Sequence, residues 1–155
     1  MGNRALVIFT DDTETTDGVA VYFHWNGGPE SVYAFVDYLA SKGGMRNDAS
    51  YTAARFIQVA GNFLGGTTSL GIQSVPTLVS DLREQAAGFS HGDNGLYLLK
   101  IGAGSYTTYG RYLDGAWLDE AAIKDECLRA ERHAYRATGG IMADLATMND
   151  PFFNR

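Results

Sequence analysis

The amino-acid sequence predicts an α+β fold: an antiparallel-rich sheet of about five strands (two hairpins plus one strand) with three or four helices packed mainly on one face. Two pairs of β-rich runs are each joined by a turn, and apolar residues repeat with helical spacing between and after them. Strict strand–helix alternation is missing and no glycine-rich phosphate loop follows a strand, which disfavours a doubly wound nucleotide-binding fold. With 155 residues, the chain is expected to form one domain, residues 1–155.

The first predicted hairpin joins the runs RALVIFT (4–10) and GVAVYFHWN (18–26) across an acidic turn. Side chains of a strand alternate between its two faces. In the second run, one set is apolar enough to form the core face: Val19, Val21, Phe23 and Trp25. The opposite face then carries Ala20, Tyr22, His24 and Asn26.

Glycine doublets predict where the first two helices begin and end. Between Gly27-Gly28 and Gly43-Gly44, apolar residues recur at i, i+3, i+4 and i+7, and Pro29 suits the first turn of a helix. The second doublet predicts a left-handed cap at the end of this helix. The next helix is expected to start after a capping Asp48 and to end at Gly65-Gly66.

The second half of the chain predicts one more strand, a second hairpin and further helices. A short strand (67–74), a short helix (75–87) and a turn (90–95) precede the hairpin LYLLKIG–SYTTYGRYL (96–113). The strongest helical pattern covers residues 118–138, where the pairs Glu120–Lys124 and Asp125–Arg129 have the favourable acid-first i,i+4 order. Residues 141–148 are expected to add a short helical segment.

Composition disfavours several function classes. Eighteen acidic and twelve basic residues give a net charge of −6, which argues against direct binding of DNA or RNA. No run approaches the ~18 consecutive apolar residues of a membrane helix, and the N-terminus lacks a signal-peptide cleavage site, so no membrane association is expected. Cys127 is the only cysteine, which excludes an internal disulfide and favours the cytoplasm.

Motifs for metal binding and nucleophilic catalysis are weak. The three histidines are scattered without HxH or HExxH spacing, so we expect no metal site and no cofactor. GFSHG (88–92) matches the serine hydrolase pattern, but a helical pattern precedes it and a strand follows, the reverse of that motif's context. The acidic turn TDDTETTDG (10–18) is interpreted as a solvated hairpin loop, with a cation site or a phosphate-mimicking surface as alternatives.

One hypothesis for function is a polar pocket. His24 and Asn26 come at the end of the second strand, and His91 and Asp93 lie in the turn SHGDNG. If the two segments meet, His24, His91 and Asp93 supply the minimum equipment for general acid–base catalysis. The chain would then be a small enzyme or a domain that binds a nucleotide-like small molecule. Two independently capped turns are the competing interpretation.

Aromatic residues near strand ends favour a protein-binding surface instead. In SYTTYGRY (105–112), alternation puts Tyr109 and Arg111 on one face, from which both can contact a partner. The same strand is the candidate for an unpaired edge that forms a homodimer. The full set of predicted binding residues is Tyr22, His24, Trp25, Asn26, Asp93, Asn94, Tyr106, Tyr109 and Arg111.

The stretch HWNGG (24–28) is predicted to be a strand-to-helix corner. We expect Gly27 or Gly28 to occupy a backbone conformation closed to other residues, so that a β-branched substitution there destabilises the fold. His24 lies on the less apolar face of its strand, so His24→Ala is expected to have a mild effect on stability.

Two stretches resemble a known group of proteins. GNRALVIF (2–9) and VYFHWNGGPESV (21–32), with DNGLYLL (93–99) as a weaker third, resemble small proteins of bacteriophages and mobile elements that begin G-N-R-A-hydrophobic-I and carry Y-x-H-W-N-G-G before a helix. The resemblance implies no catalytic residue, but it implies a setting in the cytoplasm of a bacterial host. We therefore expect a non-enzymatic protein that binds a host protein or complex and inhibits a defence system such as CRISPR–Cas or restriction.

Overall fold

A computed structural model describes residues 2–65, 69–136 and 139–153. The described chain contains β1 (Ala5–Thr10), β2 (Val19–Phe23), α1 (Pro29–Ser41), α2 (Ala49–Phe63), β3 (Leu70–Ser74), α3 (Val79–Phe89), β4 (Leu96–Gly102), β5 (Ser105–Leu113), β6 (Ala116–Trp117), α4 (Glu120–Ala134) and α5 (Ile141–Thr147). The predicted α+β class is confirmed, although these ranges hold six strands and five helices. Residues 67–68 of the predicted strand and 137–138 of the predicted helix lie outside the described residues.

The sheet is mixed rather than purely antiparallel. Its strand order is β3-β2-β1-β4-β5-β6; β1 and β4 are parallel, and every other neighbouring pair is antiparallel. Every residue of β1 is buried, because helices cover both faces of the sheet at its centre. A strand buried on both faces reads as a continuous apolar run, which explains the sequence of β1. The strand β6 is absent from the predicted elements, because two residues carry no periodicity.

Two apolar cores enclose the sheet. The side chains of β1 at alternate positions from Ala5 to Phe9 face α1, α2, α4 and α5, whereas Leu6 and Ile8 face α3. Among the described residues, four of the five helices therefore pack on one face, as predicted, and α3 covers the other. The side chains of β2 divide between the cores in the same alternating way.

Acidic side chains cap two of the helices. Asp48 caps α2 and Asp119 caps α4, each carboxylate accepting a hydrogen bond from a backbone N–H of the first turn. Within α4, the predicted pair Asp125–Arg129 forms an ion pair of 3.0 Å. The predicted pair Glu120–Lys124 is not among the ion pairs that the described residues form.

Gly27 is closed to side chains by packing and not by its backbone dihedral angle. A Cβ atom there would lie 2.8 Å from the Cβ of Ala5 and would overlap the carbonyl oxygen of Asn3. The left-handed residue of this corner is Asn26, with a φ of 59°. Gly28 has a φ of −70°, which any residue can adopt. The expected strained glycine conformation is therefore wrong, although a corner does join β2 to α1.

A β-bulge interrupts the pairing of β4 with β5. Thr108 and Gly110 pair with consecutive residues of β4, so Tyr109 is the extra residue on β5. Alternation restarts after the bulge, so that Tyr109 lies on the α3 side of the sheet and Arg111 on the α4 side. The expectation that Tyr109 and Arg111 share one face is therefore wrong.

The acidic turn between β1 and β2 is ordered by its own side chains. The carboxylate of Asp11 accepts hydrogen bonds from the hydroxyl and backbone N–H groups of Thr13 and Thr15. The hydrogen bond from the Thr13 hydroxyl is the largest cause that lowers the pKa of Asp11. Glu14 accepts a hydrogen bond of 2.8 Å from the Tyr109 hydroxyl, which ties the turn to β5.

Candidate functional site

A cavity of about 230 Å³ opens between α1 and α4, beside β5. We call it the α1–α4 cavity. Its walls combine acidic and aromatic side chains: Glu30, Tyr33, Asp37, Tyr106, Glu131 and Tyr135. Cys127 and three alanines complete the lining.

Small side chains leave the space between the two helices. Ala130 and Ala134 are spaced i,i+4 on one face of α4, and each is only 4% exposed. Ala34 lines the cavity from α1. Because protein interiors are close-packed, a larger side chain at any of these three positions would fill the cavity.

Asp37 is held in place by a hydrogen bond from β5. The Tyr106 hydroxyl donates to Asp37 Oδ1 at 2.7 Å. Burial raises the pKa of Asp37; the Tyr106 hydrogen bond opposes this shift, and the negative charge of Glu131 adds to it. Within the described chain, none of the ion pairs involves Glu30, Asp37 or Glu131. The cavity therefore holds three carboxylates that no described basic side chain neutralises.

The hydroxyls of Tyr33 and Tyr106 in the cavity are neutral near pH 7. Burial is the main cause that raises the pKa of both Tyr33 and Tyr106. Thr108 donates a hydrogen bond of 3.3 Å to the Tyr33 hydroxyl, and its Oγ1 lies 3.8 Å from Cys127 Sγ. The rings thus offer π faces and neutral hydroxyls rather than phenolate nucleophiles.

Carboxylates and aromatic rings around a small concave space are suited to an organic cation. A carboxylate forms charge-assisted hydrogen bonds with a guanidinium or ammonium group. The faces of Tyr rings attract the same cations through the ring quadrupole. The α1–α4 cavity combines both kinds of group, with Asp37 and Glu131 near the rings of Tyr33 and Tyr106.

A buried ion pair fixes α4 against the sheet next to this cavity. Arg111 is 0% exposed, donates to Glu126 Oε1 at 2.7 Å, and has its Cζ 3.8 Å from the ring centroid of Tyr97. Its Nη1 donates to the backbone carbonyl groups of Asn94 and Leu96. Arg111 was expected on the protein surface, but the bulge in β5 turns it inward, where it pairs with Glu126 of α4.

Tyr22 of β2 contacts one histidine from each of the two polar turns that the sequence singles out. The Tyr22 hydroxyl and His24 Nδ1 share a hydrogen bond of 3.0 Å, and the ring centroids of Tyr22 and His91 are 5.0 Å apart. Gln73 of β3 adds a polar neighbour, its Oε1 lying 3.4 Å from His91 Nε2. Burial, followed by the positive charge of Arg4, lowers the pKa of His91, which favours the neutral imidazole.

Asp93 accepts its hydrogen bonds from Arg4, and it lies near enough to His91 for their charges to interact. Arg4 donates to Asp93 Oδ2 from its side-chain Nε at 3.0 Å and from its backbone N–H at 3.1 Å. These bonds hold the pKa of Asp93 below its usual range. The side chain of Asn94 donates a hydrogen bond to that of Asn3. Among the described residues, no hydrogen bond joins Asp93 to a histidine, so the predicted catalytic trio lacks an imidazole–carboxylate hydrogen bond.

Trp25 and Asn26 lie beyond the end of β2. Trp25 is 48% exposed, which corrects the expectation that it points into the core, and its ring lies edge-on to His24 with centroids 5.0 Å apart. Asn26 donates a hydrogen bond of 3.4 Å to the hydroxyl of Ser31 in the first turn of α1. Alternation predicts the wrong face for Trp25 because the strand ends at Phe23.

Tyr109 is a partly exposed aromatic residue fixed by charged neighbours. Lys100 Nζ and Arg83 Cζ lie 4.7 Å and 5.1 Å from its ring centroid. Its hydroxyl donates to Glu14, which also pairs with Lys100. Such contacts order the ring before any partner arrives.

Of the predicted binding residues, only Tyr106 lines the α1–α4 cavity. The sequence does contain signals for the remaining walls. Asp37 interrupts an otherwise apolar stretch of α1, and Ala130 and Ala134 mark a small-residue face on α4. Asp37 is roughly one hundred residues from Ala130 and Ala134 in the sequence. The packing of α1 against α4 brings them together.

Comparison of the chain with known protein families, with curated proteins and with solved structures found no match. Within residues 2–65, 69–136 and 139–153, there is no cluster of three or more His, Cys, Asp or Glu side chains that could hold a metal ion. No helix in the same ranges is both long and apolar enough to cross a lipid bilayer.

Proposed function

We propose that this protein is a non-enzymatic binding protein that receives a basic side chain of a partner protein in the α1–α4 cavity. The observation that carries the proposal is a set of three carboxylates, Glu30, Asp37 and Glu131, which form no ion pair within the described chain and lie beside tyrosine rings. An arginine or lysine side chain would satisfy both the carboxylates and the ring faces.

The size of the cavity supports a side chain as its occupant. Pockets for drug-sized ligands span roughly 300–1,000 Å³, whereas this cavity measures about 230 Å³. The net charge of −6 would favour the approach of a basic partner surface. Tyr135, 59% exposed at the cavity, offers an aromatic contact outside it.

The resemblance of the N-terminal motifs to phage and mobile-element proteins supports a host protein as the partner. Nucleases of CRISPR–Cas and restriction systems bind nucleic acid through Arg and Lys side chains. A protein that captures one of these side chains would compete with nucleic acid and inhibit the defence system. We expect no direct contact between this protein and nucleic acid.

A pull-down with matched variants tests the proposal. Tagged wild-type protein is mixed with lysate of a bacterial host, in parallel with Asp37→Asn/Glu131→Gln. The control, Asp114→Asn/Glu84→Gln, makes the same charge change at two exposed residues outside the cavity. We expect wild type and control to retain the same host protein and the cavity variant to lose it. Equal retention by all three forms, or no retained protein, would refute the proposal.

A second candidate function is supported by the contact of Tyr22, His24 and His91. These residues would form a site for a nucleotide-like small molecule, with or without chemistry. A thermal-shift screen of nucleotides and other metabolites tests this reading. A ligand whose stabilisation is erased by His24→Ala, and preserved by Tyr109→Ala, would favour this candidate over protein binding.

A further inference from the structure

A second cavity, of about 370 Å³, lies where the turn after α1 meets α2 and the C-terminal aromatic residues. Arg46, Arg55 and Gln58 line it with side chains that donate hydrogen bonds. Gly43 and Gly44 contribute a wall without side chains. This cavity shares no lining residue with the α1–α4 cavity, so the two sites can be tested separately.

Neither arginine of this cavity has an acidic partner among the described residues. The ion pairs that the described residues form involve other basic side chains: Arg4, Lys100, Arg111 and Arg129. Arg55 is half-buried, and its Nη1 is buried with no hydrogen-bond acceptor in the described part of the chain. The guanidinium Cζ lies 5.8 Å from the ring centroid of Tyr51. A partly desolvated cation without a counter-charge is unfavourable unless a ligand supplies the charge.

The nearby acidic residue Asp150 accepts hydrogen bonds from groups other than the two arginines. Its carboxylate accepts a hydrogen bond from the Tyr38 hydroxyl. It also accepts hydrogen bonds of 2.9 Å from the backbone N–H groups of Phe152 and Phe153, which line the cavity. Asp150 therefore shapes the cavity wall, and it forms no ion pair with either arginine.

We infer that this cavity binds an oxyanion: the phosphate or carboxylate group of a ligand. The planar fork of an arginine matches the oxygens of either group, and Gln58 adds a neutral amide donor. Gly43 has a φ of 69°, and a Cβ atom there would meet nothing within 4 Å, so the space in front of it is open. An anion between Arg46 and Arg55 would supply an acceptor for Arg55 Nη1, and a counter-charge that neither guanidinium group finds among the described residues.

Titrations followed by ¹H–¹⁵N NMR test this inference. Inorganic phosphate and acetate are added separately at constant ionic strength, with chloride replaced by the test anion. We expect saturable shifts of the Gly43 and Gly44 amide signals. Arg55→Gln should weaken binding at least about tenfold, because it removes charge and fork together, whereas Arg55→Lys should weaken it less. The control Arg129→Gln, at an exposed ion pair, should bind like wild type.

The two anions distinguish the source of the oxyanion. Tighter binding of phosphate assigns a phosphate-bearing ligand, and tighter binding of acetate assigns a carboxylate-bearing one. Arg46 is exposed, so Arg46→Gln is expected to fold even if a substitution at Arg55 impairs folding. Shifts that never saturate, or affinities that Arg46→Gln and Arg55→Gln leave unchanged, would overturn the inference.

Discussion

Gly27 stands where the segment leading into β1 leaves no space. Gly27→Ala would bring a methyl group to 2.8 Å from Ala5 Cβ and against the carbonyl of Asn3. We expect it to lower the free energy of unfolding by about 1–3 kcal/mol. At Gly28, the nearest atom is the flexible end of Glu30 at 2.9 Å, so Gly28→Ala should cost less than Gly27→Ala, about 1 kcal/mol or below, chiefly because Ala is a poorer N-cap than Gly. Urea denaturation measures both variants, and equal losses would contradict this packing argument.

Asp37 is expected to reduce stability near neutral pH. Its pKa in the folded protein is raised above 3.8, so the folded state holds the proton more tightly than the unfolded state. Stability then falls as pH rises through the window above 3.8. Asp37→Asn removes this loss and keeps an oxygen that accepts from the Tyr106 hydroxyl. The variant should therefore melt at or above the wild-type temperature at pH 7, with a smaller difference near pH 3.

Thermal unfolding at the two pH values checks this expectation. Glu84→Gln, at an exposed residue of α3, is the matched control for loss of one negative charge. An Asp37→Asn protein that melts well below wild type at pH 7 would show that the ionised carboxylate stabilises the fold. The cavity would then be structural.

The residue types of NGG predict a corner after β2. They do not predict which residue adopts the left-handed backbone or which one is restricted by packing. Asn and Gly both tolerate a left-handed backbone, so the sequence NGG does not distinguish Asn26 from the glycines. In the structure, Asn26 takes the left-handed conformation and Gly27 is required by its neighbours Asn3 and Ala5. That second requirement comes from a long-range contact, which local sequence cannot show.

Among the helices and strands, the contact of α4 with β5 depends on one buried ion pair. Glu126→Ala would leave the guanidinium of Arg111 buried without its carboxylate, and we expect a loss of about 3–5 kcal/mol in the free energy of unfolding. Asp125→Ala is the matched control, because Asp125 is adjacent to Glu126 in α4 and forms an exposed ion pair with Arg129. It should cost no more than about 0.5 kcal/mol. Similar losses for the two variants in urea denaturation would contradict a structural role for the buried pair.

The boundaries of most elements follow from the sequence, whereas irregularities within them do not. Gly43-Gly44 and Asp48 mark helix ends through local chemistry that the structure reproduces. The bulge at Tyr109 depends on how β5 pairs with β4. Because a bulge reverses the alternation that follows it, one extra residue moved Arg111 from the predicted surface to the interior.

At the scale of the whole molecule, the parallel pairing of β1 with β4 is the feature that sequence patterns could not predict. Both strands are apolar on both faces, so their composition fits a sheet centre without specifying the neighbour. The α1–α4 cavity has the same origin. It exists because β1 and β4 are adjacent and the helices after β2 and β6 therefore pack side by side.

Self-association is a prediction for the molecule as a whole. β6 pairs only with Tyr112 and Leu113, so within the described chain the outer edge of β5 before the bulge has no strand partner. We predict a homodimer formed through this edge. Light scattering should give twice the monomer mass of 16.8 kDa, and Thr107→Lys, at an exposed edge position, should return the protein to a monomer. A wild-type monomer at high micromolar concentration would exclude this dimer.

A calorimetric or NMR titration with N-acetyl-arginine methylamide tests directly whether the α1–α4 cavity binds a basic side chain. Its neutral isostere, N-acetyl-citrulline methylamide, controls for shape without charge. We predict saturable binding of the arginine compound with Kd on the order of 1 mM, and shifts at the signals of Tyr106 and Ala130. Binding should be lost in Asp37→Asn/Glu131→Gln and kept in Asp114→Asn/Glu84→Gln. Equal binding of the citrulline compound, or unchanged binding of arginine by the cavity variant, would contradict the assignment of the α1–α4 cavity as a site for a basic side chain.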